Sequence, residues 1–188
     1  MAVPKLWRLH WEVDLRRPRV HEPGRWRFDA PDGQYAVSYG NVSAEHAFVE
    51  VYGDLDDGFN EIAPSQADRR ISSMTFSRKL RVVDLGDAAL LRAIGADLRI
   101  ATDTDYRVTQ LWGERIHAWW AHADAIRFPG RKAGRRDNFC LFLDRCVDAI
   151  EQEGHGTLAE NEELVLRACE LFGLVPRLIF EAPSPHWL

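Results

Sequence analysis

The sequence predicts an α+β fold with one mixed sheet core and helices around it. Short strand-like runs and helix-like apolar stripes alternate irregularly along the chain, without the repeating period of βαβ units. No GxGxxG turn follows any strand-like run, which argues against a parallel dinucleotide-binding sheet. The 188 residues, 46% of them hydrophobic, suffice for one core and leave little for a second, so residues 1–188 are read as one domain.

The elements follow in order. Lys5 to Val13 carries Leu6, Trp7, Leu9, Trp11 and Val13 and reads as a first strand. A long loop from Arg16 to Gly33 is punctuated by Pro18, Pro23, Gly24, Pro31 and Gly33, and loops of this length inside a domain tend to be functional or disordered. Tyr35 to Tyr39 reads as a strand that Gly40-Asn41 ends. Ser43 caps a helix whose apolar residues Ala44, Ala47, Phe48, Val51 and Tyr52 share one face, with Glu50 off the centre of that stripe.

Leu80 to Leu85 is a strand, Asp87 to Ile94 a short helix stopped by Gly95, and Asp103 or Thr104 opens a longer helix to about Ala121. In that helix Val108, Leu111, Trp112, Ile116, Trp119 and Trp120 are read as a core face. Strands at Ala125 to Phe128 and Asn138 to Leu143 flank a basic loop from Pro129 to Arg136. Gly154-His155-Gly156 reads as a flexible connection, with His155 solvated. Thr157 to Glu160 has the spacing of a capping box before a helix that Gly173 stops, and Leu174 to Phe180 is a last strand.

Composition narrows the function. Net charge is −5 with lysine only at Lys5, Lys79 and Lys132, which disfavours a direct nucleic-acid binder, although arginine clusters can still hold an anion. No run is long and apolar enough for a membrane span, and the start lacks the layout of a signal peptide; a soluble, cytoplasmic protein is expected. Cys140, Cys146 and Cys169 lack the CxxC spacing of a structural zinc site. His117 and His122 are five apart and point to different faces of a helix, so no metal is expected.

The richest region runs from Arg16 to Glu50. It sets Arg16, Arg17, Arg19, Arg25 and Arg27 in a Gly/Pro-rich loop, then Tyr35 and Tyr39, then a helix bearing Glu50. If the loop folds over the helix flank, the guanidinium groups suit a pyrophosphate, the rings a flat base, and the carboxylate a developing positive charge on a ribose. Taken alone, the same residues also fit solvated loop charges, packed tyrosines and a surface glutamate.

The order of motifs adds to that reading. Arg27-Phe28, Gly33, Tyr35 to Tyr39 and Ala47-Phe48-Val49-Glu50 resemble the N-terminal half of the RES domain, in which an arginine-aromatic pair precedes a glycine, a tyrosine-bearing strand and an Ala-x-x-Glu helix. Leu80 to Leu85, Ala101 to Tyr106 leading into Gln110-Leu111-Trp112, Ile126 to Phe128, the arginine-rich loop and the Leu-Phe-Leu strand continue the resemblance, so that it covers roughly residues 6–145.

The resemblance implies a split-sheet fold like that of ADP-ribosyltransferases, with NAD as substrate in its cleft and cleavage at the nicotinamide–ribose bond. It implies a toxin held by an Xre-type helix-turn-helix antitoxin, with ADP-ribosyl transfer to water, phosphate or a macromolecule. Carried over by position, Arg27 is the family arginine, with Arg25 competing for that place. Glu50 is the glutamate, and Tyr39 is a tyrosine beside the nicotinamide, with Tyr35 the nearby alternative and Arg131 a further cofactor-binding candidate. Gly130 occupies the place of the family serine. A backbone amide or a neighbouring side chain then replaces that hydroxyl, or the domain is a non-catalytic binder. The residues are compatible with a homo-oligomer and do not specify one.

Overall fold

The structure, a computed structural model, describes residues 3–11, 13–16, 24–53, 61–62, 66–134, 136–174 and 177–178. Its elements are β1 (Leu6–His10), β2 (Val37–Asn41), α1 (Ala44–Tyr52), β3 (Glu61–Ile62), β4 (Arg70–Phe76), β5 (Val82–Asp84), α2 (Ala88–Ala93), α3 (Arg99–Thr102), α4 (Tyr106–Trp119), β6 (Ala125–Pro129), β7 (Asp137–Phe142), α5 (Leu143–Cys146), β8 (Ile150–Thr157), α6 (Glu162–Phe172) and β9 (Arg177–Leu178). The fold is α+β, as the interspersed patterns predict.

Seven strands form one sheet in the order β5-β6-β7-β2-β1-β4-β8. Only the β5–β6 pair is parallel, which makes the sheet mixed. Between β1 and β2 a single residue pair, Trp7 with Asn41, keeps the two halves of the sheet together. By contrast β1 and β4 pair along five consecutive residues. The expected split is therefore a narrow seam, and α1 packs across it on β1 and β2, with α6 alongside.

Local chemistry explains the helix boundaries. The Ser43 side chain accepts from the His46 N–H and caps α1, as expected. Asp87 caps α2 and Asp105 caps α4, one or two residues after the predicted start of that helix. Gly173 ends α6 with φ 66°, a left-handed conformation that suits glycine. The capping box is half realised: the Glu160 carboxylate accepts from the Thr157 N–H at 2.8 Å, but α6 opens later, at Glu162.

Several expectations are corrected. The tyrosine strand sits two residues later than predicted, so Tyr35 precedes β2 and Gly40-Asn41 belong to it. The glycine-flanked segment around His155 is no flexible connection but part of β8, paired along β4. His155 bonds Ser73 at 2.8 Å and packs its ring on Trp7. Pairing uses backbone groups, so a strand can form where side chains show no apolar alternation. The buried face of α4 is Thr109, Gln110, Gly113 and Ile116, whereas Val108, Leu111 and Trp119 are 45%, 56% and 56% exposed. Those small and polar residues face inward because the loop carrying Arg27 and Phe28 lies on them. Beyond Arg177–Leu178, the predicted last strand falls outside the described residues, as do Arg17, Arg19 and Arg135.

Candidate active site

The Arg27 loop is held on α4 by interactions that leave little freedom. The Gln110 side-chain amide donates to the carbonyls of Gly24 and Trp26, the latter at 2.9 Å. Gly113 lets the loop approach the helix: a Cβ there would stand 2.9 Å from the Tyr35 hydroxyl and 3.2 Å from both Cα and O of Phe28. Both tyrosines brace the same turn. The Tyr35 hydroxyl donates to the Phe28 carbonyl, and the Tyr39 hydroxyl accepts from the Phe28 N–H at 2.9 Å while donating to Asp29 at 3.0 Å.

Arg27, 7% exposed, is thereby turned inward. Its Nη1 donates to the Asp103 carbonyl at 2.6 Å, and its guanidinium lies 5.1 Å from the Tyr106 ring centre. No carboxylate among the described residues lies within ion-pair distance of it. Burial pushes its pKa down from the ordinary arginine value, Tyr106, Tyr39 and Glu50 pull it back, and Arg131 adds to the lowering. Arg27 still carries its charge, because guanidinium stays protonated in proteins.

Glu50 approaches from the other side, on the last turn of α1, with 21% of its side chain exposed. Burial alone would raise its pKa. His46, the Asn138 side-chain amide and the Lys132 backbone N–H outweigh that and hold it below the ordinary carboxylate value. His46 is fully buried one turn earlier, its Nε2 3.4 Å from Glu50 Oε1. Glu50 is therefore ionised at neutral pH.

Arg27, Tyr39, Glu50 and Arg131 thus share one electrostatic environment, although 23 residues separate the first and third in the chain. Arg131 is exposed, in the turn after β6. Tyr39 is half-buried and packs against the core with its hydroxyl tied down, and burial lifts that hydroxyl's pKa well above the usual phenol value. Two candidates stand apart. The Tyr35 ring is stacked on His117 at 4.3 Å and meets Phe142 edge-on, so it is part of the core. Arg25 lies exposed over Trp26.

Other charges in the basic loop are engaged elsewhere. Arg127 bridges Asp84 and Asp137 at 2.7 Å each, and Arg136 covers the Phe172 ring. The Cys140 thiol is buried and its pKa is pushed up by burial, as expected of an inert core cysteine. No helix among the described residues is long and apolar enough to cross a membrane.

Sequence reasoning missed His46, Tyr106 and Asn138. His46 lies one helical turn before Glu50, a spacing that puts both on one face and was open to inspection. Tyr106 and Asn138 meet the site only through tertiary contacts.

The Gly130 position is clear in space. Its N–H donates to the Arg136 carbonyl at 2.7 Å, so that amide is not a spare donor. A Cβ on it would lie 2.5 Å from Glu50 Oε1 and 3.0 Å from Asn138 Nδ2.

The comparisons with known proteins agree with this architecture. Among solved structures, the fold matches a chain of the M. tuberculosis MbcT-MbcA toxin-antitoxin complex with TM-score 0.56 and 17% identity, over 86% of this chain and 88% of that one. At that identity the likeness is one of fold. No protein with a curated description matches the chain. The model of the RES domain matches residues 5–165, further at the C-terminal side than the span of resemblance read from the motifs. With the match running from the start of β1 into α6, the chain belongs to the RES domain family.

Proposed function

We propose that the chain is a RES-type toxin that cleaves NAD between nicotinamide and ribose. The observation that carries this reading is the pairing of an inward-turned Arg27, unanswered by any described carboxylate, with an ionised Glu50 in the same field. In this reading Arg27 and Arg131 take the pyrophosphate or ribose oxygens, where guanidinium forks bind phosphate bidentately. The ring of Tyr39 packs on nicotinamide. As the C–N bond breaks, nicotinamide leaves as a neutral base and positive charge develops on the ribose, which the Glu50 carboxylate stabilises while holding the ribose hydroxyls. Water, phosphate or a macromolecular group then takes the ADP-ribosyl unit.

Membership in the RES family supports an Xre-type antitoxin as partner, and the structural neighbour comes from a toxin-antitoxin complex. An enzyme that depletes NAD needs such restraint in its own cell, so the proposed setting is the cytoplasm. The second reading, a non-catalytic nucleotide- or protein-binding domain, is favoured by one observation, the glycine at position 130.

Purified protein, free of antitoxin, is incubated with NAD and nicotinamide release is followed. Release that falls at least tenfold in Arg27→Ala is expected. Calorimetric binding of NAD to a folded sample without any release sinks the catalytic reading and favours the second.

A further inference from the structure

Glu50 stands in an unfavourable place. It lies in the last turn of α1, where the helix dipole is negative and a carboxylate is repelled by the free carbonyls. A fold that keeps a buried, ionised glutamate there must hold it from outside the helix.

The holding groups come from β7 and from the turn after β6. Asn138 lies opposite Asn41 in the register of β2 and β7, next to the seam of the sheet. The Asn41 amide donates to Asn138 Oδ1 at 2.6 Å, which leaves Asn138 Nδ2 on the side of Glu50, where a Gly130 Cβ would meet both groups. The Lys132 backbone N–H supplies a second donor. The remaining groups facing the carboxylate are His46 from its own helix and the Arg27 guanidinium from the loop.

Gly130 completes the arrangement by being small. Its φ lies outside the left-handed region, so the backbone there accepts any residue and only space decides. A Cβ would fall 2.5 Å from Glu50 Oε1, 3.0 Å from Asn138 Nδ2 and 3.1 Å from the Arg136 carbonyl oxygen. The backbone oxygen is held by the turn, so the carboxylate is the group that must move.

On the reading of Glu50 given above, we propose that Asn138 is a positioning residue for the Glu50 carboxylate and that Gly130 is the space this carboxylate occupies, so that a serine at 130 displaces Glu50 instead of supplying a missing group. Asn41 acts one step further out, by fixing which end of the Asn138 amide faces the carboxylate.

The test compares Gly130→Ser, Asn138→Ala and the double variant in the full chain, with two readouts: nicotinamide release from NAD and the carbon-13 titration of the Glu50 carboxyl. Each single change is expected to raise the Glu50 pKa by about one unit, the equivalent of one lost charged hydrogen bond. It should lower kcat by about tenfold or more with KM for NAD within about twofold, as expected for a displaced transition-state contact. The double variant should show no recovery of either effect, because the side chain at 130 still meets Glu50 Oε1 when Asn138 is gone. If Asn138→Ala does not fold, Asn138→Ser replaces it, since its hydroxyl still serves Asn41 but falls short of Glu50. A Gly130→Ser or an Asn138→Ala protein with wild-type titration and kcat, or a double variant that recovers both, overturns the proposal. If the wild type releases no nicotinamide, the NAD reading fails by itself, and the titration still decides whether Asn138 and Gly130 place Glu50.

Discussion

The edge of the sheet at β5–β6 and the seam at its centre both gather charge, and they treat it in opposite ways. At the edge the buried and bridging charges are answered. Arg127 sits between Asp84 and Asp137, and Asp124 accepts from Arg78 at 2.9 and 3.0 Å and from the Arg81 N–H at 2.8 Å. At the seam the charges stay partly open. Arg27 meets a carbonyl and a ring but no described carboxylate, and Glu50 Oε1 is buried without a hydrogen-bond partner. A buried charge whose hydrogen-bonding positions are only partly met is costly, so such a pair persists where something outside the chain completes it. The comparison separates charges that build the molecule from charges held ready for a ligand.

Exchanging the two carboxylates one at a time breaks this distinction if it is wrong. Glu50→Gln should lower nicotinamide release by about 10²–10³-fold, the cost of removing one preorganised electrostatic contact, with a melting temperature within a few degrees of wild type. Asp124→Ala should do the reverse. It leaves Arg78 and the Arg81 N–H unanswered and should cost about 3 kcal/mol in urea unfolding, a figure reduced because Arg78 is partly solvated and screened. The folded fraction should keep its kcat. Loss of activity in Asp124→Ala at unchanged stability would reverse the assignment of the two regions.

A smaller effect tests how the open region is held. Gly113→Ala gains about 1 kcal/mol of helix propensity but forces a methyl group against Tyr35 and Phe28, which costs about 1–3 kcal/mol. A net loss of stability is expected, together with a raised KM for NAD, because the loop carrying Arg27 is the part that must yield. An unchanged KM would show that this loop does not depend on its seat on α4.

The smallest effect is on the pH dependence of stability. Both Glu50 and Asp124 have folded-state pKa values below the ordinary carboxylate range, through His46, Asn138 and Lys132 in one case and Arg78 and Arg81 in the other. The unfolded chain takes up protons first, near about pH 4, so the stability these groups contribute is present above that pH and fades as pH falls through their lower folded values. Urea midpoints measured from pH 7 to pH 3 should fall less steeply for Asp124→Asn than for the wild type. Equal slopes would mean that Asp124 takes up its proton alike in both states.

Much of the fold was legible because its signals are local. The cap at Ser43, the Ala44, Ala47 and Phe48 part of the α1 stripe (Val51 is exposed), the stop at Gly173 and the β6 and β7 strands each depend on neighbours within a few residues. β4 and β8 were not legible. β4 buries Ser72 and Ser73 inside the sheet, and β8 is a polar segment interrupted by glycines, so neither shows the apolar pattern of a strand. In α4 the predicted face held for Ile116, Trp112 and Trp120 but not for Val108, Leu111 and Trp119, because part of the inward side is shaped by the loop that packs on Gln110 and Gly113.

The amino-acid order by itself determined α1, α2, α4 and α6 and most of the strands, and its resemblance to the RES domain singled out Arg27, Tyr39 and Glu50 as candidates. Which of the candidates share one environment was decided only by tertiary structure, which brought Arg131 in and left Tyr35 in the core and Arg25 on the surface. The contacts of Glu50 with Asn138 and with the space at Gly130 belong to the same class. The reason is one of range. Caps and periodicity act over one or two turns of backbone, whereas the partner that answers a buried charge comes from wherever the sheet order places it.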